Sequence, residues 1–170
     1  MIKRSMDPVG APKPVLLILG SLPGEASLAA QRYYAHPQNQ FWRLLGGAIG
    51  EPLAALDYDA RLARLADRGI ALWDVVGAAR REGSLDAALR EVRANRLADY
   101  IAAHPTIAAV GFNGGTAARI GRRALAGVPL AMLDLPSSSP AFTRPFAWKA
   151  QGWAPLGALA LPARDATLAP

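Results

Sequence analysis

Four short apolar runs, Val15–Leu19, Ile70–Trp73, Ile107–Phe112 and Pro129–Leu133, recur along the chain between stretches of helical periodicity. Each is of strand length and bounded by turn residues. None alternates apolar with polar positions, which is the pattern of parallel strands buried on both faces. Phe41, Trp42, Leu44, Leu45 and Ile49 form one apolar helical stripe. Leu62, Leu65 and Ala66 form another, and Gly69 stands where a helix C-terminal glycine belongs. Ser84 is placed to N-cap a helix over LDAALREVRA, and Asn95 to cap RLADYIAAH. GGTAARIGRRALAG and FAWKAQGWAPLGAL complete the helical set. This alternation predicts an α/β fold, a three-layer α/β/α sandwich around a central, mainly parallel four-stranded sheet. One domain is expected over residues 14–161, with 1–13 and 162–170 as loosely ordered tails.

Parallel sheets of this kind bind ligands beyond the carboxyl ends of their strands, near the switch in strand order. The segments that follow the four runs are GSLPG, DVVGAARREG, NGGTA and LPSSSPAF, and they hold most of the unusual residues. The densest stretch is GSLPGEASLAAQRYYAHPQNQFW, Gly20 to Trp42. Its opening loop lacks the spacing of a dinucleotide fingerprint and the Lys-Ser/Thr pair of a P-loop. No G-x-S-x-G elbow occurs in the chain, which disfavours an esterase of the α/β-hydrolase type. Tyr33, Tyr34, His36, Asn39, Phe41 and Trp42 then supply stacking faces and an amide, the equipment of a pocket for a planar heterocycle. Phe41 and Trp42 are expected in the core.

Composition narrows the chemistry. Lys and Arg number 19 against 13 acidic residues, a formal charge of +6 that arginine dominates and that suits a polyanionic partner. Without cysteine there can be no disulfide, iron–sulfur cluster or thiolate zinc site. Two histidines, His36 and His104, and no cluster of carboxylates point to chemistry without a metal or cofactor. The first residues do not read as a signal peptide, and the apolar runs fall short of a membrane span. A cytoplasmic protein with no membrane partner is expected.

Gly20–Trp42, together with LPSSSPAF, resembles the uracil-DNA glycosylase superfamily, most nearly the branch that excises hypoxanthine from deoxyinosine. YAHPQNQFW also looks like the corresponding segment of mismatch-specific uracil/thymine glycosylases. GIALWDVVGAARREGSLDAAL and HPTIAAVGFNGGTA resemble further family stretches in matching order. The resemblance implies flipping of a deaminated base from DNA and hydrolysis of its N-glycosidic bond, by a monomer without cofactor or metal. No lysine falls in the two main motifs, so no lyase step is expected.

Relatives with G-x-N-P-G or G-Q-D-P-Y loops position the attacking water with a polar loop residue, whereas this chain has Leu22 there. By resemblance to the hypoxanthine branch, Asn39 takes that task, orienting water rather than deprotonating it. Its structural alternative is a helix N-cap before QFWRLL. The resemblance also assigns the base pocket to Gly20, Ser21, Leu22, Pro23, Gly24, Tyr34 and Asn113. Tyr34 would stack on the flipped base, and Ser21 would touch base or phosphate. DNA contacts fall to His36, Ser137, Ser138, Ser139, Pro140 and Phe142. The three serines are suited to phosphate, and Pro140–Phe142 to a wedge in the vacated stack. His36 reads as a structural group bonding a backbone carbonyl rather than as a general acid. Arg119, Arg122 and Arg123 read as a solvated helix face, and Asp74 as a tether between loops.

Three other readings stay open on the sequence: uracil as main substrate, a DNA-damage binding module without turnover, and a small-molecule α/β hydrolase using the same pocket.

Overall fold

The computed structural model describes residues 1–164. Its central sheet is built from β3 (Leu16–Gly20), β4 (Ile70–Asp74), β7 (Ala109–Asn113) and β8 (Ala131–Leu135). These four run parallel in the order β4-β3-β7-β8. All five residues of β3 are buried, as the unbroken apolar run LLILG requires of a strand covered on both faces. Alternate side chains divide between two cores. Leu16 and Ile18 face α2 (Phe41–Ile49), α3 (Tyr58–Asp67), α6 (Phe146–Trp153) and α7 (Leu156–Leu159). Leu17 and Leu19 face α4 (Leu97–Ala103) and α5 (Gly115–Ala124). The three-layer α/β/α sandwich follows from that division.

Several expectations need correction. The first thirteen residues are no loose tail. β1 (Ile2–Arg4) pairs antiparallel with β5 (Val76–Arg80), and β2 (Val9–Gly10) adds an antiparallel fifth strand at the edge of the central sheet beside β4. Gly10 has φ of +100°, and a Cβ there would come 2.3 Å from the Ile70 carbonyl, so the approach of β2 requires glycine. The segment DVVGAARREG is largely strand, since β5 lies within it.

LDAALREVRA is not a helix either. A 3-10 turn over Asp86–Ala88 leads into β6 (Arg90–Ala94), which pairs with β5 to complete a second sheet, β1-β5-β6. Pairing with β5 outweighs the helical propensity of this stretch. Ser84 caps from a distance: its Oγ accepts the Glu25 N–H at 2.9 Å, at the start of α1 (Glu25–Ala30). Asn95 caps nothing with its side chain. Its amide donates to the Asp74 carbonyl at 2.8 Å and to Ser5 Oγ at 3.0 Å, tying the two sheets and the N-terminal segment together. Of the expected tail at 162–170, residues 165–170 lie outside the described residues and 162–164 are exposed and irregular.

Candidate active site

β3 is flanked by β4 on one side and β7 on the other, so the chain leaves its carboxyl end at the switch in strand order. A cavity of about 510 Å³ opens there, within the roughly 300–1,000 Å³ usual for ligand pockets. Every residue assigned to catalysis, base or DNA on the sequence lines it: Asn39, Gly20 to Gly24, Tyr34, Asn113, His36, Ser137 to Pro140 and Phe142. Segments more than a hundred residues apart thus converge on one space.

The Gly20–Gly24 loop is held from outside. Its first two carbonyls accept the N–H groups of Val75 and Val76 at 2.8 and 2.9 Å, extending the β3–β4 pairing. The next two accept from Arg81, which is 3% exposed and whose guanidinium reaches both Leu22 and Pro23, and the Gly24 carbonyl accepts from Leu28. Leu22 itself is buried in the α4/α5 core. Ser21 donates to Asp86 at 2.6 Å, so its hydroxyl is engaged by protein.

Tyr34 sits in the left-handed region at φ of +54°, an expensive conformation for a bulky residue. The turn lays its ring flat on Phe41, with centroids 3.7 Å apart and planes 8° apart. One aromatic face is therefore already used by the core. Among the described residues its buried hydroxyl has no hydrogen-bond partner, and desolvation, with the Asp74 charge adding, pushes its pKa up, partly offset by the nearby Asn113 amide.

Asn39 turns its Oδ1 to the Phe41 N–H at 3.0 Å, an Asx turn that starts α2 one residue before the N-cap position, Gln40. The second lone pair of Oδ1 and the NH₂ group take no part in that bond. His36 does not bond a carbonyl through Nδ1; it accepts the Gln38 N–H there at 3.1 Å.

The serines differ among themselves. Ser138 is 1% exposed and turned inward: its N–H donates to Asn113 Oδ1 and its Oγ accepts from Asn113 Nδ2, both at 2.9 Å. The pair fixes the late loop to the end of β7 and spends much of the Asn113 amide on the fold. Ser137 and Ser139 accept N–H groups within their own turn, leaving their hydroxyl protons free to be donated outward. Phe142, 37% exposed, packs near Trp148 with ring centroids 6.0 Å apart.

Two parts of the site escaped the sequence reading. One wall is the β5–β6 tip, Ser84 to Ala87, hidden because that stretch reads as helix. The other is Asp74. It is 3% exposed and lines the cavity, and its side chain makes no hydrogen bond among the described residues; Oδ2 is buried outright. It is no loop tether. Burial pushes its pKa up to about 7, with Asp86 adding and Arg81 opposing. Its position at the carboxyl end of the second strand was the available signal.

The profile of the uracil DNA glycosylase superfamily matches residues 8–156. The chain belongs to that superfamily. A protein of Methanosarcina acetivorans named hypoxanthine DNA glycosylase is 40% identical over 144 residues, 85% of this chain and 90% of the relative. One of the same name from Methanosarcina barkeri strain Fusaro is 42% identical over 114 residues, 67% of this chain and 72% of the relative. A solution NMR structure of a Methanosarcina acetivorans protein, provisionally described as a uracil DNA glycosylase, superposes with a TM-score of 0.83 at 37% identity, covering 92% and 97% of the two chains. Superfamily membership carries an expectation of DNA as substrate, and no helix among the described residues is long and apolar enough to cross a membrane.

Proposed function

We propose that the protein is a monofunctional DNA glycosylase that flips a deaminated base, hypoxanthine first, into the cavity and hydrolyses its N-glycosidic bond without metal or cofactor. The observation that carries this reading is the convergence of Asn39, Tyr34 and the unpartnered Asp74 carboxyl on one cavity beside the Ser137–Phe142 loop. The two relatives named hypoxanthine DNA glycosylase support the choice of base.

The bond between C1′ and the base nitrogen breaks, its electron pair leaving with the base. The sugar acquires oxocarbenium character, which a weak nucleophile can attack, so positioning and fixed dipoles carry much of the barrier reduction. Asn39 Oδ1 accepts one O–H of the water with its second lone pair and aims its oxygen at C1′. The water oxygen bonds to C1′, one water proton remains as the new hydroxyl, and the other goes to solvent. N–H groups of the Gly20–Gly24 loop offset the negative charge on the departing base, which takes a proton from solvent, and an abasic site remains.

Asp74 is assigned to reading the base. In its neutral form the carboxyl accepts N1–H of hypoxanthine through one oxygen and donates its proton to O6 through the other. The same lactam edge occurs in uracil and xanthine, the further substrates. Tyr34 offers the ring face that Phe41 does not cover.

The test is base release under single turnover, with chelator present, from matched duplexes carrying one deoxyinosine, deoxyuridine or deoxyxanthosine. Fastest release from deoxyinosine is expected. Well-folded protein that releases none of the three bases would end the glycosylase reading.

A further inference from the structure

Lys149, on α6, touches both loops that carry the proposed machinery. It is 1% exposed. Its ammonium donates to Gln40 Oε1 at 3.0 Å and to the Ser139 carbonyl at 3.2 Å, and lies 5.3 Å from the centre of the Phe142 ring. Both acceptors are neutral, and among the described residues no carboxylate forms a salt bridge with it. Desolvation lowers its pKa, as expected of an ammonium kept from water. A methionine would fill similar space without that cost, so packing alone does not account for a lysine here.

What the charge joins is specific. Gln40 follows Asn39 directly, and its own N–H donates to the Ser138 carbonyl at 3.0 Å. Ser139 immediately precedes Pro140–Phe142. The helix beneath is anchored to the same two regions, since Trp153 Nε1 donates to the Pro136 carbonyl at 2.8 Å and its ring meets Phe41 edge-on at 5.5 Å.

We propose that Lys149 is a positioning residue that makes the Asn39 segment and the Ser137–Phe142 loop one mechanical unit, so that seating the loop on DNA also sets the water-orienting amide. The tasks given to the two loops rest on the glycosylase reading above; the coupling rests on the hydrogen bonds. It also gives Lys149 a purpose no lysine was expected to have, since it lies outside both motifs in sequence and between them in space.

The experiment compares wild type, Lys149→Met and Gln40→Met by amide hydrogen exchange over residues 36–41 and 137–142. Each is measured free and bound to duplex DNA carrying a stable abasic-site analogue, beside single-turnover base release. DNA should protect both segments in wild type. In both variants it should protect 137–142 as before, while protection of 36–41 falls by at least about tenfold. Base release by Lys149→Met should fall about 100-fold or more with the DNA Kd within about threefold of wild type, a split that general loosening would not give. Gln40→Met keeps the buried ammonium and the Gln40 N–H bond to Ser138 and removes only the bond from Lys149 to the Asn39 segment, so it decides the matter if Lys149→Met does not fold. Wild-type protection of 36–41 in a folded variant overturns the proposal. Wild type that binds DNA but releases no base would sink the glycosylase reading while the exchange result still judges the coupling. If wild type holds no DNA, the free proteins decide: the proposal requires both segments to exchange faster together in the variants.

Discussion

Asn39 gives its side-chain oxygen to the backbone N–H of Phe41 at 3.0 Å, so one atom serves both the start of α2 and the proposed reaction. The two tasks separate by substitution. Asn39→Ala should lose the turn, costing about 1 kcal/mol and therefore about 2–4 °C in Tm. It should also slow base release by about 100-fold or more, with DNA affinity retained. Asn39→Asp keeps an oxygen for Phe41 and a lone pair for water. Its Tm should match wild type and its rate stay within about tenfold of it. An Asp variant as slow as the Ala variant would show that the NH₂ group, not the oxygen, orients the water.

Asp74 ties activity and stability to the same proton. The neutral carboxyl is the form matched to the lactam edge, so release of hypoxanthine should fall as pH rises through about 7. Asp74→Asn keeps one donor and one acceptor at every pH and should flatten that limb, whereas Asp74→Ala should be slow throughout. The stability sign is the reverse of the usual carboxylate case. A folded-state pKa above the unfolded value favours the fold at low pH, and that contribution is lost as pH climbs from about 4 to about 7, amounting to about 4 kcal/mol. Thermal melts of wild type and Asp74→Asn at pH 5 and pH 8 check this: Asn should be relatively more stabilising at pH 8.

Phe142 is exposed at the cavity mouth beside Trp148, free to enter a base stack. A wedge matters only where there is a stack to fill. Phe142→Ala should therefore slow release from duplex deoxyinosine by about tenfold and leave release from the same single strand within about twofold. Equal losses on both substrates would remove the wedge role.

The parts of the fold that could be read from sequence are those with one strong signal. VLLIL, IALW and the run ending in Phe112 are apolar throughout because both faces are covered, and little else explains such runs. Every residue of β6 is exposed, and REVRA carries no apolar periodicity; it is a strand only because β5 lies beside it. Ile2–Arg4 likewise becomes ordered by pairing with β5, a partner more than seventy residues away. In the site, the loop after β3 announced itself by composition. Asp74 did not, since a single acid at a strand end looks the same whether it tethers a loop or stands unpartnered in a cavity. Only burial without a hydrogen bond distinguishes the two. Lys149 was invisible for a similar reason, as nothing in FAWKAQGW marks it as the residue joining Gln40 to Ser139.

Gly20 is where the base-reading groups leave no room. A Cβ there would come 2.8 Å from Asp74 Oδ1 and 2.8 Å from the Tyr34 hydroxyl, closer than real Cβ contacts allow. Neither group can yield freely: Asp74 is fixed at the end of β4, and Tyr34 is pinned against Phe41. Gly20→Ala should therefore displace one or both and cost about 1–3 kcal/mol in stability. The same displacement misaligns the groups assigned to the base by a fraction of an ångström, which should slow release about 100-fold. The phosphate contacts assigned to Ser137 and Ser139 lie on another loop, so affinity for undamaged DNA, and its dependence on salt, should match wild type. Measuring lesion release and undamaged-DNA affinity on one preparation separates the outcomes. Selective loss of release places the base against Gly20, Tyr34 and Asp74, and wild-type release would mean that the base binds elsewhere in the cavity.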